Sequence, residues 1–245
     1  MTFEIAPGQL CGIAGRTGSG KSSLLLALYR MIELTRGRVV LDGVDCASIG
    51  LDALRQNLAI IPQDPVLFSG SFRHNLDPFE QHTDDRLWEV LNWVQLKTAV
   101  SEMAGHTNVG NVSGAMSSGL YAPMAECGDN LSAGQKQLVC LARAMLRKAK
   151  VFALDEATAN VDTATDALIQ KALRASLVED EDSTALIIAH RLDTIIDCST
   201  ILVLAEGVAI EYGSPLELGS KEDGVFAKLL KSAANAHSVS SQLDK

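Results

Sequence analysis

The sequence has no CxxC pair, no apolar run long enough to cross a bilayer, no signal peptide at Met1 and no excess of basic residues. Each absence removes a class of function. The five scattered cysteines (Cys11, Cys46, Cys127, Cys140 and Cys198) are odd in number, so neither a disulfide framework nor a zinc site is expected. They read as reduced, mostly buried small hydrophobes of a cytosolic compartment. A membrane span needs about 20 predominantly apolar residues, so this chain is not expected to enter a membrane itself. That leaves open its docking on a protein that does. Lys and Arg number 21 against 30 Asp and Glu, a formal net charge of −9. Nucleic-acid binding needs clustered basic residues against the phosphates, and this balance argues against it.

What is present is enough for a large core. The chain has 245 residues, of which 47% are hydrophobic, enough for one large domain or two small ones. Thr2 to Ile5 alternates as a short strand, and Gln9 to Ala14 is a compact apolar run. A buried helix is expected after Lys21, a strand over Arg38 to Leu41, a helix over Leu51 to Asn57 and a buried strand over Leu58 to Ile61. Leu87, Trp88, Leu91 and Val94 give Asp84 to Leu96 a helical apolar face. Thr107 to Glu126 lacks periodicity and reads as loop, and Gly134 to Arg147 as helix. Strand and helix then alternate again: Val151 to Leu154, Thr163 to Leu177, Thr184 to Ala189. Ile201 to Leu204 and Val208 to Glu211 form a hairpin about Glu206-Gly207, and Val225 to Ala234 is a last helix. The alternation at both ends predicts an α/β core with crossover helices, interrupted by a helical insertion.

Three stretches carry chemistry. Gly15-Arg16-Thr17-Gly18-Ser19-Gly20-Lys21-Ser22-Ser23 places three glycines, one lysine and four hydroxyls between an apolar strand and a buried helix. It fits the phosphate-binding loop pattern, in which backbone N–H groups converge on phosphate oxygens at a helix N-terminus. Lys21 would reach the β- and γ-phosphates, and Ser22 would hold Mg²⁺. A Gly-rich turn with a chance lysine is the plainer alternative. Val151 to Leu154 leads four apolar residues into Asp155 and Glu156. Asp155 would serve the metal and Glu156 would polarise water, although two solvated acids at a strand end are common. Leu131-Ser132-Ala133-Gly134-Gln135 opens a helix and offers a second anion-binding end, or simply a helix cap.

In this order, these stretches resemble the nucleotide-binding domain of ATP-binding cassette (ABC) proteins over nearly the whole chain. The resemblance implies an α/β P-loop NTPase (RecA-like) core with an inserted helical signature subdomain. It divides the chain into 1–71 and 148–235 as core, 72–147 as helical subdomain and 236–245 as disordered tail. Gly15 to Ser23 matches the Walker A loop. Gln63, in IIPQDPVLFSGS, matches the Q-loop glutamine, a contact to Mg²⁺ and water. Leu131, Ser132, Ala133, Gly134 and Gln135 match the signature. Asp155 and Glu156 match the Walker B metal acid and the catalytic glutamate. Asp162, closing ATANVD, matches the D-loop, and His190, in IIAHRL, the switch histidine at the γ-phosphate. ATP and Mg²⁺ are the implied ligands.

The stretches DPVLFSGSFRHNLDPF, QKQLVCLARAMLRKAKVFALDEATANVD and EYGSPLEL are similar to the second, C-terminal nucleotide-binding domain of subfamily C, the multidrug-resistance-associated exporters. That similarity implies a partner nucleotide-binding domain, attached transmembrane domains and a place on the cytoplasmic face of a membrane. In such pairs each ATP lies between the Walker A loop of one domain and the signature of the other. Ala133 stands where the most active members have glycine, and Cys127 where glycine often precedes the signature. Only Phe3 precedes the loop among aromatics, so the family's antiparallel N-terminal strands, with their adenine-stacking aromatic, are expected to be truncated. The alternatives are a nucleotide-gated channel regulator of subfamily C, a soluble ABC ATPase and a truncated, non-functional domain.

Overall fold

The computed structural model describes residues 2–103, 119–157, 161–179, 183–188 and 192–233. Its centre is a six-stranded sheet. In chain order the strands are β1 (Leu10–Ala14), β4 (Leu58–Ile61), β7 (Val151–Asp155), β8 (Thr184–Ile188), β9 (Thr200–Ala205) and β10 (Val208–Gly213). The spatial order is β10-β9-β1-β8-β7-β4. All neighbours are parallel except β10, which returns antiparallel to β9.

The strand sequences explain this arrangement. Every residue of β1 is buried, as are Val151 to Leu154, Ala185 to Ile188 and Ile201 to Leu204. Continuous apolar runs of this kind suit parallel strands covered on both faces. Successive side chains serve opposite layers: Phe152, Leu154, Ala185, Ile187, Ile201 and Val203 join one core, while Val151, Ala153, Leu186, Ile188, Leu202 and Leu204 join the other. The second core is closed by Leu25 of α1 (Lys21–Leu28) and Leu54 of α2 (Leu51–Gln56). The first is continuous with the helices α3 (Phe72–Leu76), α4 (Asp84–Trp93), α5 (Lys97–Glu102), α6 (Ala133–Leu146) and α7 (Thr163–Glu179). The small ladders β2–β3 (Val40–Leu41, Val44–Asp45) and β5–β6 (Gly70–Ser71, Pro123–Met124) lie outside the main sheet. Two C-terminal helices, α8 (Pro215–Ser220) and α9 (225–233), complete the described chain.

Several expected boundaries shift for local reasons. Thr2 to Ile5 is not a strand; among the described residues nothing pairs with it in a ladder. It lies against β10 instead, where the Tyr212 hydroxyl donates to the Glu4 carbonyl and the rings of Phe3 and Tyr212 are 6.3 Å apart. The strand expected over Arg38 to Leu41 shrinks to Val40–Leu41, closed by the left-handed pair Asp42-Gly43 (φ 49° and 79°). α4 stops at Trp93 because Gln95 turns left-handed at φ 59°, the usual way a helix ends. The stretch 119–126, read as loop, holds a short 3-10 turn over Gly119–Tyr121 and the strand Pro123–Met124. Residues 107–118 of that expected loop, His190 and the 236–245 tail lie outside the described residues.

Candidate functional site

β1 ends at Ala14 and the chain turns sharply at Gly15, where φ is 153°. A Cβ at Gly15 would stand 2.5 Å from the Leu204 carbonyl oxygen and 2.5 Å from Ser19 Oγ, so only glycine fits. Gly20, at φ 103°, is the N-cap of α1 and brings no side-chain cap to it. The first turn of α1 therefore presents its N–H groups with the positive end of the helix dipole, as an anion site requires. Lys21 is buried, and its Nζ donates to the carbonyls of Gly15 at 2.8 Å and Arg16 at 3.1 Å. The loop is braced from outside: the Gly207 N–H, in the β9–β10 turn, donates to the Ser19 carbonyl at 3.0 Å.

Beside the loop is a cleft of about 200 Å³. Thr17, Gly18, Gly20 and Lys21 to Ser23 line it, and Glu156 faces them from the end of β7. Glu156 is a non-glycine residue at φ 52°, and its N–H donates to the Ile188 carbonyl at 3.0 Å. A left-handed conformation costs an L-residue roughly 1–2 kcal/mol. Asp155 is the last residue of β7. Burial, and after it the Glu156 charge, pushes the Asp155 carboxyl above its ordinary range, while Lys21 opposes the shift.

The other sequence-derived candidates are not among the residues that line this cleft. Ser132 caps α6 in a reciprocal box: its Oγ accepts from the Gln135 N–H at 3.2 Å, and Gln135 Oε1 accepts from the Ser132 N–H at 2.9 Å. Leu131 is buried beneath them, Ser132 and Ala133 are exposed, and Gly134 lets α6 approach Thr165 closely enough that a Cβ would sit 2.7 Å from its Cγ2. None of these five lines the cleft. Asp162 caps α7, accepting from the N–H groups of Ala164 and Thr165 at 3.0 Å each and from Thr165 Oγ1 at 2.7 Å. These bonds, the hydroxyl's first, hold its carboxyl below the usual range. Gln63 is exposed just after β4, and its carbonyl accepts from Gln137 Nε2 at 2.7 Å. Sequence reasoning missed Gln137 and Gly207. The only trace of Gln137 was one amide on an otherwise apolar helix face, and Gly207 read as a hairpin turn with no hint of what the turn touches.

Similarity to known proteins agrees with this geometry. Residues 1–159 match the family model described as ABC transporter. The chain is 48% identical over 234 residues to multidrug resistance protein mrp-7 of Caenorhabditis elegans, covering 96% of this chain and 14% of that protein. Over 233 residues it is 48% identical to ATP-binding cassette sub-family C member 2 of Rattus norvegicus, covering 95% and 14%. The chain thus spans about one seventh of the curated relatives it matches. Among solved structures, a bacterial Atm1-family ABC exporter with ATP bound superposes with a TM-score of 0.81 at 32% identity, over 95% of this chain and 38% of that one.

Proposed function

Because the chain belongs to the ABC transporter family, we propose that it binds ATP in the cleft between the Gly15–Ser23 loop and Glu156, hydrolyses it there, and acts as the motor domain of a subfamily C exporter. The observation that carries this reading is that Glu156, from the end of a different strand, lines the same cleft as the loop. Phosphate oxygens would lie against the N–H groups at the start of α1. Lys21 would exchange the Gly15 and Arg16 carbonyls for β- and γ-phosphate oxygens. Glu156, fixed by its backbone bond to Ile188, would accept a hydrogen bond from the attacking water and polarise it toward phosphorus.

The donors present fit a magnesium ion. Mg²⁺ takes one or two carboxylates and completes its shell from phosphate and water. Asp155 offers a carboxylate whose charged form is disfavoured by burial until a cation compensates it, and Ser22 offers a hydroxyl in the cleft. Ser22, Asp155 and Gln63 are the side chains that would hold the ion, which when bound withdraws charge from the phosphates and eases attack on the terminal one.

The exposed Ser132-Ala133 end of α6 lies outside its own cleft, which supports a role against the ATP of a second nucleotide-binding domain. Transmembrane domains at the cytoplasmic face of a membrane would receive the resulting motion, with Asp162 and His190 at the domain pair and the γ-phosphate. The domain division at 1–71, 72–147 and 148–235 belongs to the same proposal. So does the placement of this chain as the second such domain of its full-length protein. Titration of Mg-ATP into the chain by calorimetry tests the site. Lys21→Ala should weaken binding at least about tenfold, a loss of ~1.4 kcal/mol; equal affinity would remove Lys21 from the phosphates.

A further inference from the structure

Gln137 is a buried amide in the middle of α6, 2% exposed. Its Nε2 donates to two backbone carbonyls, Pro62 at 3.0 Å and Gln63 at 2.7 Å. Both amide hydrogens are thereby used on the loop that leaves β4. The orientation this demands leaves Oε1 buried with no hydrogen-bond partner among the described residues. A buried acceptor without a partner is a cost, and packing alone does not require it, since methionine would fill a similar volume without a polar atom. The same helix takes hold of this loop again further along. Arg143 Nη1 donates to the Val66 carbonyl, and its Nη2 donates to Asn75 Oδ1 at 2.8 Å. Asn75 in turn accepts from the Phe68 N–H at 2.9 Å and donates to the Phe68 carbonyl at 2.7 Å.

Gln63 itself is exposed, so its side chain is aimed by its backbone and not by packing. The first grip on that backbone lies on the helix that begins with Ser132 and Ala133, fewer than two turns from them. We propose that Gln137 is a positioning residue: it registers Gln63 to the Ser132–Gln135 end of α6, so that Gln63's contact to the ATP-bound metal follows the placement of this helix. The proposal rests on the reading of Gln63 given above. Displacing the helix end pulls directly on the Pro62 and Gln63 carbonyls, and the amide bonds carry that displacement to the metal side of the cleft.

The test uses the full chain with ATP and Mg²⁺ as probes, and the variants Gln137→Met, Gln63→Ala and their combination. Three quantities are read: the thermal midpoint, the hydrogen exchange of the 62–68 segment, and the Mg²⁺ concentration giving half of the metal-dependent gain in ATP affinity. Gln137→Met is expected to stay folded with a somewhat lower midpoint, because two carbonyls lose their donor, to keep its metal-free ATP affinity, to exchange faster over 62–68, and to need several-fold more Mg²⁺. In the Gln63→Ala background it should add nothing, because coupled residues are non-additive. An unchanged Mg²⁺ requirement in Gln137→Met, with a shifted one in Gln63→Ala, overturns the positioning role alone. Additive shifts in the combined variant overturn it as well. No shift in Gln63→Ala removes the metal reading of Gln63 and this inference with it. If Gln137→Met does not fold, Gln137→Asn, whose amide falls one methylene short of the two carbonyls, is read by the same outcomes.

Discussion

The Gly207 amide donates to the Ser19 carbonyl at 3.0 Å, so the turn between β9 and the edge strand β10 holds up the Gly15–Ser23 loop. Glu206 and Gly207 both have positive φ, 49° and 74°. That pair of angles is the one that matches the twist of a two-residue hairpin. The turn's geometry therefore aims a donor at the loop.

Gly207→Pro removes that donor and cannot adopt φ 74°. ATP affinity should fall by about tenfold, on the order of one net hydrogen bond plus loop loosening. Gly207→Ala is the control, since a Cβ there meets nothing within 4 Å. It should lower stability by roughly 1 kcal/mol through backbone strain yet leave affinity near the parent's. Calorimetric titration and thermal melts of both variants separate the two effects. Equal affinity in Gly207→Pro would remove the brace.

Asp155 predicts an unusual pH signature in nucleotide-free, metal-free buffer. Burial raises its folded carboxyl above the ordinary range, so the folded state holds the proton more tightly than the unfolded one. Stability contributed through this group therefore falls as pH rises from the ordinary carboxylate pKa through the raised value, and the loss is complete above it. Asp155→Asn should melt higher than the parent at neutral pH. The difference should vanish below the ordinary carboxylate range. A variant that melts lower at neutral pH would contradict the role assigned to burial.

Asp162 predicts the opposite sign. Hydrogen bonds from Thr165 and from the helix N–H groups lower its folded carboxyl. Its stabilisation is therefore present above the ordinary carboxylate pKa and is lost as pH falls through the lowered value. Asp162→Ala should melt below the parent at neutral pH and approach it in acid. A melting difference that does not change with pH would mean that the charge of the α7 cap is unimportant.

Parts of the fold were legible because parallel strands buried on both faces leave long apolar runs, as in Leu10–Ala14 and Val151–Leu154. Alternation alone does not make a strand: Thr2 to Ile5 alternates polar and apolar, yet among the described residues no ladder pairs with it. Helix ends depend on one residue's φ, as at Gln95, which composition does not announce. The loop and the Asp155-Glu156 pair could be read as chemistry because each is a short local pattern. The left-handed turn that aims Glu156 could not, because its bond to Ile188 joins separate strands. For the same reason the grip of Gln137 on Gln63, across 74 positions, was invisible until α6 and β4 were seen packed together.

In the proposed function, Glu156 activates water on an ATP held by the Gly15–Ser23 loop. The most direct measurement compares Mg-ATP affinity and steady-state hydrolysis in the parent and in Glu156→Gln, paired with the same partner nucleotide-binding domain. The amide keeps the size and the left-handed turn but removes the carboxylate. Glu156→Gln is expected to bind ATP within about twofold of the parent and to turn over about 10²-fold or more slowly, the usual contribution of a general base. Unchanged turnover in Glu156→Gln would contradict it.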